Sequence, residues 1–212
     1  MAKRAFVVSP LALLEPPRKI LDGNVENKRI LIALTGASGA PYFVRLVDRL
    51  RGLDGLEAHL ISSEGGRRVL HEETDRSWNQ LTQAPFIAHS EKNLGALPAS
   101  GSNRLDAMVI LPCSMNSLSA IAHGLTINLI HRCAAVQLKE GRPLIVVFRE
   151  APLSLMNLQA MVALKQAGAV LMPAAPGFYQ HPKTVEDLLD TIVDRVIDHL
   201  LLADPNVKRW NP

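Results

Sequence analysis

The fold is indicated by residues 29–40, RILIALTGASGA, which join a short apolar stretch to a turn of small residues and the start of a helix. Ile30–Leu34 is predicted to be a strand, and Pro41–Arg51 a helix with one apolar side. Glycines in the turn let the backbone approach a ligand, and the N-terminus of the helix offers N–H groups to an anion. The motif is neither GxGxxG nor a Walker A loop, so by itself it fits a tight turn without a ligand equally well.

Segments of the same two kinds alternate along the rest of the chain. Further strands are predicted at Leu56–Ile61, Phe86–Ala88, Asp106–Leu111, Pro143–Phe148 and Ala169–Met172. Further helices are predicted at Gly65–Thr74, Asn116–His123, Ile127–Lys139, Ser154–Gly168 and Thr184–Leu202, with Ser154 and Thr184 as N-caps. Strands that are apolar on both faces and separated by helices form a parallel sheet covered on both sides. We therefore predict an α/β, doubly wound, three-layer fold with a mainly parallel sheet, whose ligands bind at the carboxyl ends of the strands.

The chain is predicted to contain one domain and two terminal segments. Residues 1–28 hold three prolines and a polar stretch, a composition typical of an arm or linker. Residues 29–202 form the single α/β domain, and residues 203–212 form a C-terminal tail. With 212 residues and 48% hydrophobic content, the chain is long enough for one domain with a sizeable core.

The composition argues against several classes of protein. Aromatic residues make up only 4% of the chain, which disfavours base stacking with nucleic acid. The first 29 residues hold six Lys/Arg and three Asp/Glu, so they account for the net charge of +3 and the domain itself is neutral. No apolar run reaches membrane-spanning length. Cys113 and Cys133 form no metal-binding or disulfide motif, so we expect reduced thiols, no metal and a cytoplasmic protein.

Three later loops carry side chains suited to binding or catalysis. In PCSMNS, residues 112–117, three hydroxyl or amide side chains stand at a helix N-terminus, more than capping requires, which favours a phosphate or flavin site. In FREAPLS, residues 148–154, Arg149 is suited to binding phosphate and Glu150 to exchanging protons, although a surface ion pair is the simpler interpretation. In PGFYQHP, residues 176–182, Tyr179 offers a hydroxyl group and a ring, or only anchors the loop.

Together these loops resemble those of the UbiX-like flavin prenyltransferases, a family that includes the Pad-type partners of phenolic-acid decarboxylases. The matching motifs are TGASGA, PCSMNS, REAPLSLMNL and GFYQHPKTVEDLLD, in this order and spacing, and the resemblance extends from about Arg29 to Leu202. It implies a Rossmann-like flavoprotein fold and a metal-independent transferase that forms a large homo-oligomer, commonly a dodecamer. The implied reaction joins a dimethylallyl group from dimethylallyl phosphate to N5 and C6 of reduced FMN. The product, prenylated FMN, serves a UbiD-like decarboxylase.

The resemblance also implies roles for individual residues. FMN contacts are expected from Gly36, Ala37, Ser38, Ser63, Ser114, Met115, Asn116, Ser117 and Arg149. Contacts with dimethylallyl phosphate are expected from Tyr179, Arg195, Arg132 and Lys139. The three cations of this second set would balance the charge that develops on the departing phosphate. Glu150 is expected to accept a proton, with Ser38 as a relay.

Two other functions stay open on the sequence alone. FMN-dependent cysteine decarboxylases share the sheet and the FMN site, and Ser114-Met115-Asn116 partly matches their loop. They usually need a catalytic histidine after the second strand, whereas His59 precedes that place and His71 falls within a helix. A non-catalytic FMN carrier is the other alternative, but it has no need of a second phosphate pocket.

Overall fold

Six parallel strands form one sheet in the computed structural model, which describes residues 28–202 and 204–207. The strands are β1 (Lys28–Leu34), β2 (Leu56–Ser62), β3 (Ile87–Ser90), β4 (Ala107–Cys113), β5 (Leu144–Phe148) and β6 (Val170–Pro173). Their order across the sheet is β3-β2-β1-β4-β5-β6. The predicted fold class is therefore confirmed, and the sheet is parallel throughout. Most of the predicted arm and tail lie outside the described residues, so the division of the chain into domain, arm and tail stays a prediction.

Helices cover both faces of the sheet. They are α1 (Ala40–Leu50), α2 (Glu64–Glu73), α3 (Trp78–Leu81), α4 (Met115–Ala122), α5 (Leu129–Lys139), α6 (Leu155–Gln166) and α7 (Val185–His199). Side chains of α1 and α7, such as Phe43 and Val193, pack into one apolar core, while those of α4, α5 and α6 pack into a second core on the opposite face. Full burial of such a side chain contributes about 1.5–3 kcal/mol, so the two cores fix the three layers. Within the described part of the chain, no helix is long and apolar enough to cross a membrane.

The strand order reverses beside β1. The chain runs outward from β1 to β2 and β3, then returns to form β4 on the other side of β1. The helices that follow β1 and β4 consequently lie on opposite faces of the sheet. Doubly wound proteins bind their ligands in the crevice that such a reversal opens at the carboxyl ends of the strands.

Capping fixes the helix ends more sharply than the apolar pattern does. Ser154 and Thr184 are N-caps, as predicted, and each forms a capping box with the residue three positions later. The last helix ends at His199 rather than at Leu202, because Leu201 adopts a left-handed φ of 55° that a helix does not accommodate. The four-residue helix α3 was not predicted; it begins at another capping box, formed by Ser77 with Gln80.

An ion-pair network joins α1 to α7 and to the segment that follows α7. Arg49 contacts the carboxylates of Asp190, Asp194 and Asp204. The side chains of Arg49 and Asp204 are 10% and 1% exposed, so removal of the cation would leave carboxylates in a place that water hardly reaches. Burial raises the pKa of the Asp204 carboxyl, but the hydrogen bond from the Asn206 amide and the contact with Arg49 outweigh burial, and the pKa is lowered overall.

Replacement of Arg49 by leucine is therefore expected to lower the free energy of unfolding by about 3 kcal/mol at pH 7. Because the pKa of Asp204 is lowered by folding, the stabilisation is present above the ordinary carboxyl pKa of about 4 and disappears as the pH falls below it. Urea unfolding at pH 7 and at pH 3, at matched protein concentration, measures both effects. Arg68→Leu is the control, because Arg68 forms an i,i+4 pair with Glu72 that is exposed to water and contributes little to stability. Equal losses in the two variants would contradict the prediction.

Candidate functional site

Loops from neighbouring strands meet at the carboxyl edge of the sheet, where a threonine hydroxyl joins two of them. The hydroxyl of Thr35, directly after β1, donates to the carbonyl oxygen of Pro112 at 3.0 Å and accepts from the Ser114 amide at 2.7 Å. Thr35 is 1% exposed, so both bonds lie away from water. They hold the TGASGA loop against the PCSMNS loop at the point where the strand order reverses. Sequence reasoning did not single out Thr35; its signal was a hydroxyl residue placed directly after a buried strand.

Glycines bring the loop after β1 into contact with the loop after β2. A Cβ atom on Gly36 would lie 3.3 Å from the Cα atom of Gly65, and one on Gly65 would lie at the same distance from the Cα atom of Gly36. Ser63, the predicted ligand residue next to Gly65, is the N-cap of α2 and accepts from the Gly66 amide at 3.0 Å. The two loops thus pack backbone against backbone beside a serine, an approach that a side chain at either glycine would crowd.

Carboxylates of the chain occupy two helix N-termini at this edge. Glu73, at the end of α2, accepts from the Gly39 and Ala40 amides at 2.8 and 2.9 Å. Glu91 accepts from the Glu64 amide, at the start of α2, at 2.7 Å. The N-terminus of α1, predicted from the sequence as an anion site, therefore already has an anion from the protein itself at these two amides. Sequence reasoning missed both glutamates, since each lies far along the chain from the amides it accepts from.

The N-terminus of α4 carries the cluster of polar groups that the sequence indicated. Ser114 caps the helix, accepting from the Ser117 amide at 3.4 Å, and its hydroxyl lies 3.3 Å from the Ser117 hydroxyl. Met115 and Ser117 are buried, while the Asn116 side chain is exposed. Part of this cluster is thus ordinary helix capping, and Asn116 faces solvent at the same end.

Arg149 and Glu150 directly follow β5 and lie beside the loop that follows β1. The guanidinium group of Arg149 donates through Nε to the carbonyl oxygen of Ser38 at 3.2 Å. The Glu150 carboxylate is exposed and accepts from the Ala151 amide at 3.1 Å. Ser38, Arg149 and Glu150, predicted from separate motifs, therefore belong to one part of the sheet edge, whereas no ion pair between Arg149 and Glu150 is found among the described residues.

The residues predicted to bind dimethylallyl phosphate are not brought together in one chain. Arg132 and Lys139 lie seven residues apart on α5, hence two turns apart on one side of that helix. Arg195 lies on α7, and the cores beneath α5 and α7 are on opposite faces of the sheet. Tyr179 lies in the loop before α7 and is 59% exposed. Within a single chain, the sheet separates Arg195 from Arg132 and Lys139.

An open cleft of about 480 Å³ lies beside the loop that follows β2. Its lining includes Ser63, Gly65 and Glu91, together with Ile127 and Asn128 at the start of α5. This volume falls in the range of small-molecule sites. Glu91, Ile127 and Asn128 were not predicted, because they come close to Ser63 only after the chain has crossed from β3 to α5.

Neither of the two cysteines is suited to act as a nucleophile. Cys113 ends β4 and Cys133 lies in α5; both are free thiols and fully buried. Burial raises the pKa of each thiol to about 12. Neither is therefore ionised near neutral pH. A search of the described residues finds no group of three or more His, Cys, Asp or Glu side chains arranged to hold a metal ion.

The fold and the loop edge define a Rossmann-like flavoprotein, and comparison with known proteins agrees. The sequence profile of the family described as Flavoprotein matches residues 19–197. A probable UbiX-like flavin prenyltransferase of Streptomyces sp. (strain D7) is 42% identical over 182 residues, 86% of this chain and 91% of the relative. The flavin prenyltransferase UbiX of Escherichia coli (strain K12) is 40% identical over 185 residues, 86% of this chain and 98% of the relative. The chain belongs to the UbiX-like flavin prenyltransferase family.

Solved structures lead to the same family. The dodecameric FMN-dependent UbiX-like decarboxylase from Escherichia coli O157:H7 has a TM-score of 0.84 at 38% identity, covering 87% of this chain and 100% of that one. AnUbiX (PadA1) in complex with FMN and dimethylallyl pyrophosphate also has a TM-score of 0.84 at 38% identity, covering 88% and 98%. The cysteine decarboxylase TvaF, at 14% identity and a TM-score of 0.56, shares the fold alone.

Replacement of Thr35 by valine tests the junction between the loop after β1 and the loop after β4. Valine keeps the shape but removes the hydroxyl, which leaves the Ser114 amide and the Pro112 carbonyl without this partner. We expect the free energy of unfolding to fall by about 1–3 kcal/mol, measured by urea unfolding. Thr35→Ser, which keeps the hydroxyl, is the matched control and should lose less than about 1 kcal/mol. If serine and valine are equally destabilising, the hydrogen bonds are not what holds the loops together.

Proposed function

We propose that this protein is a flavin prenyltransferase, which joins a dimethylallyl group from dimethylallyl phosphate to N5 and C6 of reduced FMN. The observation that carries the proposal is the junction of Ser38 with Arg149 beside Glu150, at the strand reversal of a chain about 40% identical to flavin prenyltransferases. Glu150 gives this edge a proton acceptor next to a cation, which flavin binding alone does not require.

The loop edge suits FMN in shape and in chemistry. The close approach of Gly36 to Gly65 brings the loops after β1 and β2 together, and Ser38, Ser63 and Asn116 offer hydroxyl and amide groups for a flavin there. Glu73 and Glu91 already accept from amides at the starts of α1 and α2, so we assign the FMN phosphate to the start of α4, beside Ser114 and Ser117, with Arg149 as its cation. Gly36, Ala37 and Met115 complete the proposed contacts. When bound in its reduced form, FMN supplies the electron-rich ring that accepts the allyl group.

The protein's part is to hold the donor, balance its charge and accept a proton. In the transfer, the C–O bond of dimethylallyl phosphate breaks and phosphate leaves with the electron pair. Arg132, Lys139 and Arg195 would balance the negative charge that develops there, and the hydroxyl group of Tyr179 would hold the phosphate. Glu150 would take up the proton released from the flavin, with the Ser38 hydroxyl as a relay. The exposed position of the Glu150 carboxylate leaves it open to such a contact.

A complete site requires more than one copy of the chain, since the sheet separates Arg195 from Arg132 and Lys139. Helix α6 supports assembly: Leu155, Met156 and Val162 are 69%, 68% and 57% exposed, while the buried positions Ala160 and Leu164 face the core. Exposed apolar surface of this kind is typical of subunit interfaces. We therefore propose a homo-oligomer, as in the dodecameric relative, with donor and flavin bound where copies meet.

Further parts of the proposal concern what lies around the reaction. Prenylated FMN would pass to a UbiD-like decarboxylase, and the cytoplasmic location inferred from the sequence remains a prediction. A non-catalytic FMN carrier is the competing function, and an assay of turnover separates the two.

The decisive assay mixes the protein anaerobically with reduced FMN and dimethylallyl phosphate and determines the mass of the flavin. A gain of one C5H8 unit supports the proposed transferase. Tight binding of FMN with no mass gain, from either the monophosphate or the diphosphate donor, would establish the carrier instead.

Replacement of Glu150 by glutamine is expected to leave FMN affinity within about twofold and to slow prenylation by about 10²–10⁴-fold, because the amide keeps the shape but accepts no proton. Single-turnover formation of the prenylated product measures the effect. Glu72→Gln, on the exposed surface of α2, is the matched control. Unchanged turnover in Glu150→Gln would remove Glu150 from the proton transfer.

Mixing of two inactive variants tests whether the site forms between copies. We expect Lys139→Ala and Arg195→Ala each to lose most activity alone. After the two are unfolded together and reassembled, some sites receive an intact Lys139 from one copy and an intact Arg195 from another, so a fraction of the activity returns. No recovery in mixed assemblies of native size would show that both residues act within one chain.

A further inference from the structure

The edge strand β3 is held to β2 by a chain of hydrogen-bonded side chains that the proposed reaction does not use. The His59 ring, on β2, lies 2.8 Å through Nε2 from the carboxylate of Glu57 and 2.8 Å through Nδ1 from Nε2 of His89, on β3. The two rings also stack, with centroids 5.1 Å apart. Arg29, on β1, donates to the same Glu57 carboxylate at 2.8 Å. Three neighbouring strands are thus connected on one face of the sheet.

The contact between the two histidines depends on their protonation. A hydrogen bond between two ring nitrogens needs one of them to carry a hydrogen and the other to offer a lone pair. It therefore exists when both rings are neutral or when one is protonated, and it is lost when both are protonated, since two N–H groups then face each other. The charged groups beside the pair are Glu57 and Arg29, and Arg29 also contacts the amide oxygen of Asn103. Burial, and then the charge of His59, lower the pKa of His89, which opposes the second protonation.

Strand β3 is a short strand at the edge of the sheet. It has four residues and pairs with β2 alone. Ile87, Ala88 and Ser90 are all exposed, so His89 is the one β3 side chain that reaches into the protein. Phe86, just before the strand, is buried and anchors its beginning. The end of β3 is therefore held by its backbone ladder, by the histidine contact and by the hydrogen bonds of Glu91, the residue that follows it.

The residue after β3 reaches the candidate site. Glu91 is 9% exposed, and its carboxylate accepts from the Glu64 amide, next to Ser63. Its backbone carbonyl accepts from the Leu129 amide, at the start of α5, at 2.8 Å. Glu91 also lines the cleft of about 480 Å³ beside Ser63. A shift of the end of β3 would withdraw this carboxylate from the start of α2.

We propose that the Glu57–His59–His89 chain is a pH-sensitive latch, which holds β3 and through Glu91 positions the loop around Ser63 for flavin binding. Only the last step, flavin binding by that loop, rests on the proposed function. A free histidine has a pKa of about 6.5, so an unfolded chain takes up both protons as the pH falls below that value. The folded latch admits the second proton only when the contact breaks. Its stabilisation is therefore complete above about pH 6.5 and is lost at lower pH.

Hydrogen exchange of the β3 backbone, followed by mass spectrometry between pH 8 and pH 5, tests the latch directly. After correction for the intrinsic exchange rate, protection of residues 87–91 should fall by roughly tenfold at the acid end. His89→Gln is the matched variant, because the Nε2 atom of glutamine takes the place of the ring Nε2 atom and does not titrate; its protection should stay constant. His123→Gln, at an exposed histidine, should behave like the unchanged protein. Equal acid dependence in the unchanged protein and in His89→Gln would overturn the latch.

Two further measurements separate the latch from the proposed function and from failure of a variant to fold. Exchange of the imidazole C2 hydrogens in the unchanged protein reports the pKa of His89, which should lie below the ordinary value of about 6.5; an ordinary value would overturn the latch. Titration with FMN should show affinity falling several-fold further from pH 7.5 to pH 5 in the unchanged protein than in His89→Gln, in which the FMN phosphate, with a second pKa of about 6, still titrates. Glu91→Ala should bind FMN weakly at both pH values. A pH-dependent latch with equal pH dependence of FMN affinity in the unchanged protein and in His89→Gln would overturn its link to the site. Absence of FMN binding at every pH would contradict the proposed function and leave the exchange result to decide the latch.

Discussion

The buried hydroxyl of Thr35 joins the ends of β1 and β4, and the candidate site is built around that junction. These two strands are neighbours in the sheet, but their helices leave on opposite faces. At their ends, the Thr35 amide donates to the Pro112 carbonyl oxygen at 3.3 Å. The Thr35 hydroxyl donates to the same carbonyl oxygen and accepts from the Ser114 amide two residues later. Because the bonds are buried, they are expensive to break, and the two loops behave as one surface.

Two glutamates shape the electrostatics of that surface. Helix N-termini attract anions, and those of α1, α2 and α4 lie at the carboxyl edge of this sheet. Glu73 and Glu91 supply carboxylates to the N-termini of α1 and α2. We therefore propose the start of α4, with its serines and nearby Arg149, as the position of the FMN phosphate. Glu91 also connects the site to β3, so the edge of the sheet and the ligand loops depend on each other.

The two faces of the sheet explain why, in our proposal, one chain contributes residues to the flavin site but does not form a complete reaction site. The sheet lies between its two helical layers. Arg132 and Lys139 lie in one layer and Arg195 in the other, so a site that uses all three charges, as we propose, forms only where chains meet. The exposed apolar side of α6 gives the chain a reason to assemble, since water is excluded from it only by another protein surface.

The sequence by itself determined the fold class, the position of most elements and the identity of the loops, because strand and helix patterns and capping residues such as Ser154 and Thr184 act over a few neighbouring positions. It did not reveal Glu73, Glu91 or the role of Thr35, whose partners lie far along the chain and become neighbours only after the strands have paired. It assigned Arg195 and Lys139 to one donor site, but it did not reveal that a single chain places them on opposite faces of the sheet, because similarity of motifs carries no information about which face a helix covers. The tertiary structure decided those points, since the crossover from each strand chooses a face, and that choice sets which charges one chain brings together.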